Sequence, residues 1–370
     1  MRIDRLLLRG FRNYDEAEIR FDPEINVITG ENAQGKTNLL EAVYLLSGGR
    51  SFRTRFDREL IGLDREAAEL EADIFAQDRA QNLRIVLRRG QTKQIWQNRV
   101  KRSGGELGEA VKAVLFSPDD LNLIREGAAA RRRLMDLAIS QLRPGYGALL
   151  SDYRRIYENK TRLLRDYRAD PHLDDTLDAF SDTMARLSAK LIRYRYSFAL
   201  RLGEHAGPIH REFTAGGAEE QLTLRYRTVS TVTDCSASEQ SIYRQILEHQ
   251  QAHREAEKAS AGCLTGAHKD DLEIEIDGRP ARSFASQGQT RTAALSIKLA
   301  EREIFLRDTG EYPILLLDDV LSELDANRQA FVLNRIGGGQ TLITCCEDAR
   351  IAERTGGRVI TIHGGAAVSS

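Results

Sequence analysis

The sequence predicts an α/β fold: a nucleotide-binding head on a mixed β-sheet, interrupted by an α-helical insertion. Three observations predict it. An apolar, β-branched stretch from Ile25 to Thr29 runs directly into GENAQGKT, residues 30–37, and then into the helix-forming NLLEAVYLLSG. A second apolar stretch, Ile314 to Leu317, stops in the paired carboxylates Asp318 and Asp319, as a buried strand does when it delivers an acid to the edge of a parallel sheet. Between them, from about Arg125 to Ala261, the texture is helical.

At 370 residues, 41% hydrophobic and 29% charged, the chain has room for two domains or for one large α/β domain carrying an insertion. No run approaches the roughly 18 apolar residues of a membrane span, and the opening MRIDRLLLRGFRNYD is too charged for a signal peptide. A cytoplasmic protein without membrane contact is expected. The four cysteines, Cys235, Cys263, Cys345 and Cys346, lack paired spacing and are expected to be reduced and buried, and the seven histidines show no zinc-ligand spacing. A net charge of −1 excludes nothing, but the charge is uneven: Arg125 to Arg168 holds eleven Lys/Arg against five Asp/Glu, including the triplet Arg131–Arg133. Such a segment is either a solvated helix face or a surface that tracks phosphates.

Taken in order, residues 1–29 read as a hairpin followed by a third, more apolar strand, with turns at Asn13–Asp15 and Asp22–Pro23. In the following loop the backbone of Gly30, Glu31, Asn32, Ala33, Gln34 and Gly35 is expected to turn its N–H groups onto a β-phosphate. Lys36 neutralises β/γ charge, the Thr37 hydroxyl ligates Mg²⁺, and the helix N-terminus adds its positive dipole. A strand before and a helix after distinguish this motif from an ordinary glycine turn.

Residues 51–102 read as antiparallel strands extending the N-terminal sheet, and Val114–Phe116 as a buried strand ending in a Pro turn, where Asp119 or Asp120 caps a helix. One amphipathic helix follows over Leu149 to Tyr167. Leu177, Phe180, Met184, Leu187, Leu191, Tyr194 and Phe198 then form a heptad seam that packs helices together and stops at Gly207–Pro208. A short β-like piece begins at Gln221, a polar helix spans about Ser238 to Ala259, and Leu272 to Ser286 reads as a hairpin with Asp277–Gly278 at its tip. After Asp325 the sequence predicts a helix, a Gly337–Gly339 break, strands over 341–346 and 358–362, and a frayed tail, GGAAVSS.

Asp318 is the candidate for coordinating Mg²⁺, and Asp319 for orienting or deprotonating an attacking water. Ser286-Gln287-Gly288-Gln289 precedes a helix of good formers. Its hydroxyl and free N–H groups make a second anion site, or else a plain serine N-cap.

FRNY at Phe11 to Tyr14, GENAQGKTNLLEA, FSPDDL with RRR shortly after, GAHKDDL at Gly266 to Leu272, SQGQTRTAALSIKLAE and LLLDDVLSELD together resemble the RecF family, in order and from end to end. The resemblance implies an ABC-type P-loop ATPase head, discontinuous over 1–124 and 262–370, with an α-helical arm over 125–261 inserted between P-loop and signature motif. It implies ATP and Mg²⁺ as cofactors. Lys36, Asp318 and Asp319 would serve catalysis, and Ser286, Gly288, Gln289 and Asp325 would complete the site of a second copy in an ATP-dependent homodimer. Arg12 and Asn13 would approach the nucleotide. The implied partners are double-stranded and gapped DNA with RecO and RecR, and RecA indirectly, which is loaded at single-stranded gaps while slow, DNA-stimulated hydrolysis resets the complex. One departure stands out: TCCEDA, Thr344 to Ala349, lacks the histidine that ABC-type ATPases place after the last core strand. Two alternatives are an ABC transporter subunit, which would lack DNA affinity, and an SMC-type structural ATPase, which would carry a far longer arm.

Overall fold

The computed structural model describes residues 1–54, 56–102, 110–167, 173–215, 219–228, 232–345 and 353–369. The elements in chain order are β1 (Arg2–Phe11), β2 (Tyr14–Arg20), β3 (Ile25–Thr29), α1 (Lys36–Gly48), β4 (Ala67–Ala76), β5 (Arg79–Arg88), β6 (Gln94–Gln97), β7 (Val100–Arg102) and β8 (Ala113–Phe116). Then come α2 (Ala128–Leu142), α3 (Tyr146–Asp166), α4 (Asp174–Thr214), β9 (Leu222–Arg227), α5 (Glu239–Ala252), α6 (Arg254–Ser260), β10 (Asp271–Ile276), β11 (Arg279–Pro280) and α7 (Ala281–Phe284). The chain continues through α8 (Gln287–Thr309), β12 (Ile314–Asp318), α9 (Ala326–Arg335), β13 (Thr341–Thr344), β14 (Arg358–His363) and β15 (Ala366–Ser369). By packing they form two compact units, Met1–Asn122 with Ala294–Ser370, and Leu123–Ala293.

The first unit holds two six-stranded sheets. One is antiparallel, in the order β2-β1-β4-β5-β6-β7, and its strands alternate: every second residue of β4 from Ala68 to Ala76 is buried. The other runs β15-β14-β3-β13-β12-β8, with parallel pairing from β14 through to β8. Its central strands are apolar without alternation, as strands covered on both faces must be; all of β12 is buried. Leu39, Leu40, Val43 and Leu46 of α1 join a single core with Leu6, Leu8, Leu70 and Ile85 from the first sheet and Ile28, Leu316 and Leu342 from the second. The tail expected to fray instead pairs: β15 adds an antiparallel edge to β14, with Ile362 opposite Ala367. Gly364 and Gly365, both at positive φ, turn the chain back.

The second unit packs α2 to α6 with a three-stranded sheet, β11-β10-β9. The helical texture expected to close at 261 is followed within the same unit by β10 and β11, which pair in one sheet with β9 from inside that stretch, and by the Ser286 turn. Four of the seven seam residues are core, since Leu177, Met184, Leu191 and Phe198 are buried. Phe180 and Leu187 are half-buried and Tyr194 is exposed. Nor does Gly207–Pro208 end the helix: α4 runs 41 residues with Pro208 inside it. Leu222 and Leu224 of β9 lie against Gly207 and Gly203, so the sheet supports the helix past the missing N–H. The polar helix is two, α5 and α6, parted at His253.

The basic segment divides between surface and interior. Arg131, only 5% exposed, makes a two-pronged ion pair with Asp271 at 2.8 Å for each prong and donates to the carbonyls of Leu123, Ile124 and Glu126. Lys160 is fully buried against Glu257 at 2.7 Å. Arg195 grips Asp136 at 2.8 and 2.9 Å and donates to Ala267 O at 2.7 Å, while the Tyr146 hydroxyl donates to Asp136 and the Tyr226 hydroxyl to Asp270. Burial pushes the Asp270 carboxyl up to about 6, outweighing the pull of Arg195 at 3.7 Å. RRR and GAHKDDL, two motifs that carried the resemblance, therefore meet in one buried charge network. Cys235, Cys263 and Cys345 are free thiols, Cys235 only half-buried, and Cys346 lies outside the described residues, as does the rest of TCCEDA after Cys345.

Candidate nucleotide-binding site

Strand β3 ends at Thr29, and the loop beyond it folds through conformations that few residues adopt. Gly30 has φ 144° and Gly35 φ 118°. A Cβ on Gly30 would stand 2.4 Å from Ile362 O, and one on Gly35 would meet the Asn13 side chain at 2.8 Å. Ala33 also takes a positive φ, 63°. The loop is held from outside: the Asn13 amide donates to Gln34 O at 2.9 Å, the Tyr14 hydroxyl to Gly35 O at 2.9 Å, and the Gly364 and Gly365 N–H groups to Gln34. Lys36, nearly buried, donates through Nζ to Gly30 O at 2.6 Å and Glu31 O at 3.0 Å. Its ammonium is thus fixed over the loop at the start of α1, where the free N–H groups of the helix lie.

The parallel sheet brings the acids to this loop. Asp318 pairs in register with Thr344 of β13, which in turn pairs with Ile28 of β3. The Thr37 hydroxyl donates to Asp318 Oδ1 at 2.9 Å, and the Thr344 hydroxyl bonds the same oxygen at 3.0 Å. Burial raises the Asp318 carboxyl above the usual carboxylate range, and its neighbour Asp319 adds to this; the two threonine hydroxyls and Arg53 pull it back. Asp319 takes a left-handed backbone, φ 51°, and its N–H donates to Thr344 Oγ1 at 2.8 Å. Its Oδ1 is buried and, among the described residues, has no hydrogen-bond partner. Such an atom costs free energy unless something else uses it.

A hydroxyl and a carboxylate in contact, beside a fixed ammonium, form the donor set that a hard cation with phosphate oxygens takes up. Thr37 and Asp318 are the residues that would hold Mg²⁺, and Asp319 Oδ1 is a further acceptor not used by the described residues. Arg12 is committed elsewhere: it forms a two-pronged pair with buried Glu41, 2.8 Å on each prong, and donates to Glu59 O. Asn13 braces the loop directly. Ser286, Gly288 and Gln289 belong to the second unit. There Ser286 Oγ accepts the Gln289 N–H at 3.2 Å while Gln289 Oε1 accepts the Ser286 N–H at 2.8 Å, a reciprocal capping box at the start of α8. Asp325 caps α9 by accepting the Arg328 N–H at 2.9 Å and pairs with the Arg328 guanidinium.

Three contributors escaped the sequence: Tyr14, Thr344 and Arg53. Tyr14 sits within FRNY and Thr344 is a polar residue at the end of an apolar strand, so each left a trace that only the strand order turns into a position. Arg53 donates to Asn38 at 2.7 Å and left no signal.

A P-loop strand and an Asp-Asp strand with one parallel strand between them in the same sheet define an ABC-type ATPase head. The family model for the RecF/RecN/SMC N-terminal domain matches residues 2–358. The DNA replication and repair protein RecF of Acetivibrio thermocellus is 38% identical over 359 residues, 96% of each chain, and that of Bacillus subtilis 39% identical over 350 residues, 93% of each. The chain belongs to the RecF family of DNA replication and repair proteins. A solved structure of the recombination mediator protein RecF-ATPrS in the RecFOR pathway superposes with a TM-score of 0.92 at 31% identity, covering 100% of this chain and 98% of that one. The Smc head domain of Pyrococcus furiosus, with a TM-score of 0.54 at 15% identity, shares the fold.

Proposed function

We propose that this chain is an ATP-dependent, DNA-binding recombination mediator. Residues 30–37 hold the triphosphate of ATP, Thr37 and Asp318 hold Mg²⁺, and Asp319 orients or deprotonates the water that yields ADP and phosphate. The observation that carries this reading is the contact of Thr37 with Asp318 beside the unpartnered Oδ1 of Asp319. Similar proteins solved as RecF-ATP and RecF-ATPrS support ATP as the nucleotide.

The head, 1–124 with 262–370, binds nucleotide, and the arm, 125–261, contributes to holding duplex or gapped DNA. Arg154, Arg155, Arg162 and Arg165 lie exposed on α3 and supply phosphate contacts. ATP links two copies, because Ser286, Gly288 and Gln289 of each meet the γ-phosphate held by the other, with Asp325 at the interface. A γ-phosphate bound from both sides contributes its full set of contacts only in the dimer. With RecO and RecR the dimer helps load RecA at single-stranded gaps in the cytoplasm, and slow, DNA-stimulated hydrolysis resets it. Sedimentation with and without ATP tests the central step. Lys36→Ala should abolish the ATP-dependent dimer, and Ser286→Ala and Asp325→Ala should weaken it while nucleotide binding persists; an unchanged dimer in all three overturns the mechanism. Duplex binding that is absent or indifferent to salt overturns the DNA role.

A further inference from the structure

The second unit carries a half-open groove of about 550 Å³ where the C-terminal end of α2 runs beside the middle of α4. Its apolar floor comes from Ile139, Leu142 and Phe198. Its rim is cationic: Arg143, Lys190, Arg193 and Arg201 face a single acid, Glu239. Among the described residues Lys190 and Arg193 have no ion-pair or hydrogen-bond partner. Arg195, on the buried side of the same helix, is fully paired, so the helix satisfies its inner cation and leaves outer ones open.

The groove also gathers apolar surface. Tyr194, which lines it, is 39% exposed, and Leu200, next in the chain to the lining residue Arg201, is 49% exposed; both are among the few large apolar side chains exposed among the described residues. Tyr194 occupies a seam position at which the heptad pattern calls for burial, and its ring is held edge-on against the buried ring of Tyr146, centroids 5.3 Å apart. A fixed, half-exposed aromatic ring beside unpaired cations is the composition of an anchor site rather than of a solvated helix face.

We infer that this groove docks an acidic, amphipathic helical segment of a protein partner, with apolar side chains set against Tyr194, Leu200 and the floor and carboxylates reaching the rim. A groove of this size admits a few side chains, and helix-in-groove recognition sets the apolar face of an amphipathic helix into an apolar groove. Nucleic acid fits less well, because a phosphate backbone meets the cations but leaves Leu200 and the floor without a counterpart. The groove shares no residue with the nucleotide site, and the inference stands apart from the ATPase reading.

Fluorescence anisotropy of the full chain tests it, using as probe a fluorescein-labelled peptide of about 16 residues with Glu on one helical face and Leu and Phe on the other. Saturable binding is expected, weakened about tenfold or more by the double variant Lys190→Glu/Arg193→Glu, and likewise by Tyr194→Ser/Leu200→Ser. A scrambled peptide of equal composition should bind about tenfold more weakly than the probe. All four substituted residues are exposed, and circular dichroism checks that the variants fold. Absence of saturation, equal binding by the charge-reversed variant, or equal binding by the scrambled peptide overturns the inference. So does an oligo-dT strand that binds in place of the peptide and is lost in the charge-reversed variant, which would make the groove a nucleic-acid surface. A dimer broken by charge reversal, with no peptide bound, would overturn it in favour of a second copy. Loss of ATP or DNA binding elsewhere moves none of these readings.

Discussion

Two clusters of buried acids, one in each unit, are treated in opposite ways. In the second, Asp136, Arg195, Arg131 and Asp271 find partners within 3 Å, and the tyrosine hydroxyls complete the set. At the edge of the parallel sheet in the first, Asp319 has a buried oxygen without a partner among the described residues and a left-handed backbone that a non-glycine residue adopts at a cost. A saturated network specifies one packing and has nothing left to offer a ligand. An unsaturated acid spends stability on a later partner. The same residue type thus reads as scaffold in one place and as chemistry in the other, and the distinction lies in the pairing.

Substitutions can break that contrast. The largest effect is expected from Asp319→Asn, which should lower the ATP hydrolysis rate by ~10²–10⁴-fold while thermal stability and nucleotide binding persist. Normal turnover in a phosphate-release assay would place the base elsewhere. Asp136→Ala should do the reverse, removing about 3–5 kcal/mol of stability in denaturant unfolding by stranding Arg195 in the interior. Replacing the pair together with Leu and Met should restore much of the loss; if the double variant is as unstable as the single, the network is more than a charge pair.

The third prediction concerns pH. Burial holds the Asp270 carboxyl at about 6, above its value in an unfolded chain, near 4. Between those values the native state binds a proton that the unfolded chain has released, so this group adds stability as pH falls from about 6 towards about 4. His268 works against it, since burial lowers its imidazole to about 4 and makes protonation costly in the same window. The contribution of Asp270 is therefore read as a difference: wild type should gain on Asp270→Asn as pH falls, and a difference flat with pH would refute the raised carboxyl. The smallest expected effect is that of Ser286→Ala on the isolated chain, about 1 kcal/mol from opening the capping box, measured by thermal unfolding. A larger loss would mean that the turn is part of the core.

Much of the candidate site's geometry was legible because it is local. GENAQGKT fixes a loop between a strand and a helix, and ILLLDD ends a strand in acids, whatever surrounds them. The helical texture between the two motifs read as an insertion, and the resemblance implied the bounds of head and arm. What stayed hidden depends on partners distant in sequence. Arg131 reads as a surface cation until Asp271 is brought beside it, and Lys160 until Glu257 is. Tyr194 has core spacing but lies where α4 faces outward, and Pro208 ends a helix only when no sheet supports the turn before it. The tail, with its two glycines, looks loose until β14 offers an edge.

The place of β3 in its sheet has a consequence for synthesis. The strand that leads into the 30–37 loop is made before both of its neighbours, β13 and β14, which lie beyond residue 340. Each pairing is of very long range, and such contacts form late. On the ribosome the loop would emerge early with no sheet to set its curvature, and Asp318 would have no Thr344 beside it. A chain stopped short of β14 carries the full GENAQGKT motif and lacks the frame that shapes it.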